Sequence, residues 1–130
     1  KVLEAAAGSD VQLYVSTFYQ EGGSPEFDDG IKAWLNEDST AMTNNGGNDT
    51  IAAVTAMGYD AYYVALEALK AAGSTDAGAV KAALPGVTYT GVTGVIAFDD
   101  IGDAIRDTAY IKVADTANSA WALETMQKAG

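Results

Sequence analysis

Gly58-Tyr-Asp-Ala-Tyr-Tyr-Val-Ala-Leu-Glu-Ala-Leu-Lys-Ala-Ala-Gly73-Ser-Thr-Asp76 opens on three tyrosines and closes on a glycine stop. Its alanine- and leucine-rich body has the composition of a helix that packs, and Gly73 supplies the positive-φ residue on which helices end. Extended toward the N-terminus, the pattern sets Ile51, Val54, Gly58, Ala61, Ala65, Leu69 and Ala72 on one side and turns Asp60, Glu67 and Lys70 to water. Asp49 or Thr50 is the expected cap of this long helix, and Asp76 with Ser74 and Thr75 offers a new cap to a short helix with Val80, Ala83 and Leu84 inward. Pro85-Gly86 ends that second helix.

Upstream, residues 11–17 alternate apolar and polar side chains and read as a strand. Ser24-Pro25-Glu26 is a helix start, with a hydroxyl to accept an orphan amide, a ring with helical φ and an acid at the positive dipole end. Phe27, Ile31, Trp34 and Leu35 then form one apolar stripe. Residues 36–49 are polar and carry Asn44-Asn-Gly-Gly-Asn48, which predicts a loop. Downstream the period changes to that of strands at residues 87–90 and 94–98, with a turn at 99–103. Residues 108–113 and 120–126 read as two further strands that pair as a hairpin. Strand, helices, then strands make an α/β layer protein.

The chain has 130 residues, the size of one ordinary domain, and no apolar run long enough to cross a bilayer. Seven basic residues against eighteen acidic ones give a formal charge of −11, which repels nucleic acid and anionic headgroups. With no cysteine and no histidine, disulfides, thiolate zinc sites and the usual neutral-pH general base drop out. Glu21, Glu26, Asp28 and Asp29 are acids around a glycine turn and a first helical turn, where the dipole favours them without catalysis. Ser9, Ser16, Ser24 and Ser39 lack a histidine partner and an elbow motif. Asp99-Asp100-x-Gly102-Asp103 clusters carboxylates, but its spacing does not match the twelve-residue calcium loop, so a solvated turn is expected. No catalytic residue, metal site or cofactor is predicted.

Six pieces occur in order along the chain: Leu13-Tyr-Val-Ser-Thr-Phe-Tyr19, Met57-Gly-Tyr-Asp-Ala61, Ala71-Ala-Gly-Ser-Thr-Asp76, Gly91-Val-Thr-Gly94, Phe98-Asp-Asp-Ile-Gly-Asp103 and Ala109-Tyr-Ile111. This collinear set resembles the C-terminal third of type I periplasmic binding proteins, and among them the branched-chain amino acid receptors of ABC importers. It departs from the family pattern at residues 36–49 and near Ser119. The opening Lys1-Val-Leu-Glu-Ala-Ala-Ala-Gly8 looks like the tail of a helix, so a fragment of a longer receptor is expected.

The resemblance implies the C-terminal part of a two-lobed fold, with a parallel sheet flanked by helices and a terminal hairpin. Residues 1–17 would end a second-lobe segment, 18–23 and 99–108 would be hinge crossings, 24–98 would belong to the first lobe, and 109–130 would return to the second. A small amino acid, of the branched-chain class, would be captured outside the cytoplasm, in the periplasm or at the outer surface on a lipid anchor. It would then be handed to ABC transporter permease subunits. The alternative is a ligand-sensing or interaction domain of the same fold, coupled to a signalling partner.

Ligand contacts implied by the family fall on Phe18, Tyr19 and Gln20, after the first strand, and on Val54, Met57 and Tyr59, at the start of the long helix. This offers a reason for tyrosines at that end, although at helical spacing at least one of Tyr59, Tyr62 and Tyr63 must pack as core. A capping Asp49 would repel the ligand carboxylate from the helix start, which assigns carboxylate recognition to residues upstream. An isolated fragment would leave apolar edges uncovered and so self-associate, swap elements or stay partly molten, and its own ligand binding would be weak or absent.

Overall fold

The computed structural model describes residues 2–128. The chain forms two compact units, one made of Lys1–Gln20 with Asp107–Gly130 and the other of Glu21–Arg106.

In the first unit, helix α1 (Val2–Ala6) precedes strand β1 (Tyr14–Thr17). β1 lies beside β5 (Thr108–Asp115), which forms a long hairpin with β6 (Ala120–Lys128), in the order β1-β5-β6. Tyr14 stands opposite Val113 and Thr17 opposite Tyr110, and the ladder runs one step further where the Ala114 N–H donates to the Leu13 carbonyl at 2.9 Å. A bulge falls between Ile111 and Lys112. The hairpin turn is held by the Asp115 carboxylate, which accepts from the Asn118 backbone N–H at 3.1 Å and from its side-chain amide at 2.8 Å. These bonds stabilise the carboxylate and hold Asp115 below its ordinary pKa. Ser119, next in the turn, takes φ +52°, in the left-handed region that glycine and asparagine enter more readily.

The second unit contains helices α2 (Pro25–Glu37), α3 (Ser39–Asn44), α4 (Ala53–Ala72) and α5 (Ala77–Ala83). A short 3₁₀ turn (Leu84–Gly86) leads into β2 (Tyr89–Gly91), β3 (Gly94–Phe98) and β4 (Ala104–Ile105), which pair in that order. Val64 and Ala68 of α4 bury against Val87 and Ile96, with Val80, Leu84, Tyr89 and Phe98 packed around them. Each large aliphatic side chain fully buried in such a cluster contributes about 1.5–3 kcal/mol. α5 begins where Asp76 accepts from the Ala79 N–H at 2.9 Å, as its sequence predicts, and α4 ends on Gly73 at φ +59°.

The α/β class is as expected, but the pairing is not: every strand pairing among the described residues is antiparallel, where a parallel sheet was expected. The connections decide this. Only Val92 and Thr93 separate β2 from β3, and a parallel pair needs a crossover of a dozen residues or more. Residues 36–49 are not all loop, because Asp38 caps α3 by accepting from the Thr40 and Ala41 amides at 2.8 and 3.0 Å. Ser24 stands at the N-cap of α2, yet its side chain makes no capping bond; its carbonyl accepts the Asp28 N–H at 2.9 Å. In the expected α2 stripe Phe27 and Leu35 are buried, while Trp34 remains 53% exposed.

The larger correction concerns α4. Its cap position is Ala52, with no side-chain bond, and the Asp49 carboxylate accepts instead from the Asn36 side chain at 3.3 Å. The buried line is Ala56, Asp60, Val64 and Ala68, so the helix is rotated from the face expected; Val54 is 74% exposed and Asp60 wholly buried. The cause is a tertiary bond that no helical period contains. Asp60 Oδ1 accepts the Val92 N–H at 2.8 Å, and Oδ2 accepts the Thr93 N–H at 2.8 Å and its hydroxyl at 2.5 Å. A charge-assisted set of this kind offsets the cost of burying a carboxylate and joins α4 to the β2–β3 turn.

Candidate functional site

The sequence places its aromatics at the start of α4, and the structure uses most of them for packing. Phe27 of α2 meets Tyr59 at 4.9 Å between ring centres, Tyr59 meets Tyr63 at 4.9 Å, and Tyr63 lies parallel to Tyr89 of β2 at 6.0 Å. Tyr62 abuts Tyr63 edge-on at 5.4 Å. The four rings from Phe27 to Tyr89 thus tie α2, α4 and β2 together, each contact adding about 0.5–1.5 kcal/mol beyond the area it buries. The Tyr59 hydroxyl donates to that of Tyr63 at 3.4 Å, and this bond, with partial burial, pushes the Tyr59 phenol up to about 12. Burial and the nearby Asp60 carboxylate likewise hold the Tyr89 phenol above its ordinary value. These phenols stay neutral throughout the physiological range, so Tyr59 can give a ligand a ring face and a hydroxyl but no charge.

Two depressions flank this half of α4 within the second unit. One, of about 330 Å³, is lined by Ser24, Glu26, Phe27, Ile31, Tyr59 and Val92. The other, of about 410 Å³, is almost wholly apolar and runs between α4 and the sheet, with Met57, Ala61, Val64, Ile96 and Phe98 in its wall. Met57 and Tyr59 therefore line different depressions, as two residues a little over half a turn apart must. Val54 lies three residues before Met57, on the same side of the helix and open to solvent. Tyr59 keeps 39% of its surface exposed. In the first unit, Phe18, Tyr19 and Gln20 follow the end of β1; Phe18 is exposed, Tyr19 buried and Gln20 half-buried.

With Ala52 at its cap position, α4 has no capping side chain of its own, but the Glu21 carboxylate accepts the Ile51 N–H just before the helix at 2.7 Å, so an acid still stands at the α4 start, supplied by Glu21 and not by Asp49. The acidic turn after β3 satisfies itself: Asp99 accepts from the Ile101 and Asp103 amides at 3.0 and 2.8 Å, and Gly102 takes φ +93°. Among the described residues no group of three or more carboxylates is placed to hold a metal ion, and no helix is long and apolar enough to cross a membrane. Sequence reasoning missed Asp60, although its setting in Gly58-Tyr-Asp-Ala61, with Gly91-Val-Thr-Gly94 downstream, contained both partners of the bond.

No protein-family model and no curated protein sequence matches the chain. A solved structure does. The crystal structure of the leucine-binding protein LivK from Thermotoga maritima superposes with a TM-score of 0.66 at 25% identity, covering 98% of this chain and 34% of that one. The chain thus spans about a third of that protein. Its α/β architecture is thus similar over nearly its whole length to part of a leucine-binding protein.

Proposed function

We propose that this chain serves in the capture of a small amino acid, of the branched-chain class, outside the cytoplasm, for delivery to the permease subunits of an ABC importer. The observation that carries the reading is the superposition on a leucine-binding protein across 98% of the chain. Binding rather than chemistry is supported by the composition, which has no histidine or cysteine, and by tyrosines whose hydroxyls remain neutral. The division into lobe segments, with crossings at residues 18–23 and 99–108, is part of the proposal. It draws support from the change of compact unit between Gln20 and Glu21 and between Arg106 and Asp107.

In this reading Phe18, Tyr19, Gln20, Val54, Met57 and Tyr59 contribute to ligand contact. Apolar and aromatic surface suits an aliphatic side chain, and a hydroxyl or amide suits the polar end of an amino acid. Differential affinity of the ligand for open and closed arrangements would drive capture. Calorimetric titration with leucine, isoleucine and valine at millimolar concentration tests it. Weak heat with these three and none with aspartate or lysine is expected. No heat with any of the three, or equal heat with all five, would overturn it.

A further inference from the structure

The first and last residues of the second unit are both charged, and both side chains turn back into that unit. Glu21 follows the change of unit at one crossing; its Oε1 accepts the Ile51 N–H, just before α4, at 2.7 Å, and its Oε2 pairs with Lys32 of α2 at 2.7 Å. The same carboxylate raises the Lys32 pKa, chiefly through this hydrogen bond. One residue on, the Gly22 N–H donates to the buried Asp28 carboxylate at 2.7 Å. Arg106 lies in the other crossing, just before the change of unit at Asp107. Its Nη1 donates to Thr93 Oγ1 at 2.8 Å and to the Thr93 carbonyl at 3.4 Å, and that hydroxyl in turn donates to Asp60 of α4.

We infer that Glu21 and Arg106 are anchors that fix both crossings to the N-terminal half of α4, so that any bending occurs outside them, at or before Gln20 and at or after Asp107. One route runs through Glu21 to Lys32 of α2 and to the segment that leads into α4, and the other through Arg106 and Thr93 to Asp60 of α4. A carboxylate bridging an amide and an ammonium, and a guanidinium held through a hydroxyl by a fully buried carboxylate, are charge-assisted contacts of the stronger kind. Arg106 and Glu21 are positioning residues here and need not touch a ligand. The anchors stand on the contacts alone; only their consequence, crossings that flex at defined points during capture, rests on the proposed function.

The chain has a single arginine, which makes the second anchor easy to read. An arginine-specific protease can cut only after Arg106, and cutting requires that the segment be released from the fold. Thr93→Val removes the hydroxyl, and with it the bonds to Arg106 and to Asp60; loss of the Arg106 bond alone should speed this cleavage roughly five- to tenfold, while Thr93→Ser should restore the slow rate. Lysine-specific cleavage after Lys81, in the same unit, should not change. Equal rates in wild type and Thr93→Val would overturn the anchor, and so would a parallel rise at Lys81, which would mean general loosening of the unit. For the first anchor, Glu21→Ala should accelerate hydrogen exchange of the Ile51 amide by a similar factor and leave the Val92 and Thr93 amides unchanged; an unaltered Ile51 rate would overturn it. No ligand enters either assay, so a failed amino acid titration leaves the anchors standing, and failed anchors leave the binding proposal standing.

Discussion

The segment Glu21–Arg106 and the pair of segments around it are built on different terms. Among the described residues the former buries Phe27, Leu35, Ile51, Val64, Val87 and Ile96, whereas the latter buries only Ala6 and Tyr19. In the β1-β5-β6 sheet β5 is half-buried along its length and β6 is almost wholly exposed, so the ladder, more than a core, holds the strands in register. The difference teaches where specificity of structure comes from in each unit. The second unit is ordered by side chains from distant parts of the sequence that find one another, with Asp60 at the centre. The first is ordered by backbone ladders, a local hairpin with a tight turn and a pairing of β1 with the distant β5, more than by side chains. A hairpin and one edge strand without a buried face have marginal stability of their own, so the low-stability end of the molecule lies there.

The sharpest way to break this comparison is Asp60→Ala. Three donors lose their acceptor in a fully buried place, and each orphaned group costs about 1–3 kcal/mol. A loss of about 3–5 kcal/mol in denaturant unfolding followed at the α4 and β2–β3 signals is expected, with much smaller changes in β5–β6 amide exchange. Gly91→Ala acts on the same joint by crowding. A methyl built on Gly91 overlaps the Asp60 carboxylate and must displace it, at about 1–3 kcal/mol, again confined to the second unit.

On the other side of the comparison, Ser119→Gly should strengthen the first unit by about 1 kcal/mol, because glycine adopts the observed φ of +52° without the Cβ penalty. Slower exchange of the β5–β6 amides beside an unchanged α4 would show it. The smallest effect is one of pH. Tyr59 has its phenol raised to about 12, first by the bond to Tyr63, from an unfolded value near 10. The folded state therefore holds the proton more tightly, so the stability this bond adds is complete below pH 10 and is lost as pH rises through 12. Phenolate titration by ultraviolet absorbance should show Tyr59 and Tyr89 ionising late, and Tyr63→Phe should bring Tyr59 back toward 10.

Much of the fold is legible because its signals are local. Ser24-Pro25, Asp76 and Gly73 mark helix ends within a few residues of the bonds they make or the φ they adopt, and alternation with a turn at residues 116–119 marks the terminal hairpin. α3 is hidden because Ser39-Thr-Ala-Met-Thr-Asn44 has no apolar period, and only its cap, Asp38, announces it. The rotation of α4 is hidden for a stronger reason. A carboxylate in a helix reads as a solvent-facing residue until its acceptors meet amides 32 and 33 residues further on, a distance no window of periodicity spans. Trp34 shows the converse, an aromatic in phase with a buried stripe that nevertheless stays in water. As to the candidate site, the tyrosines are legible as a group, and the structure shows that two of them, Tyr59 and Tyr62, retain substantial surface, Tyr59 with its hydroxyl tied to Tyr63.

Whether the chain takes part in holding an amino acid is tested most directly by following its backbone amides by nuclear magnetic resonance during titration with leucine. The proposal predicts progressive shifts at Phe18, Tyr19 and Gln20 and at Val54, Met57 and Tyr59, saturating in the millimolar range and absent with lysine. Shifts that never rise above the noise, or that gather elsewhere in both units, would contradict it.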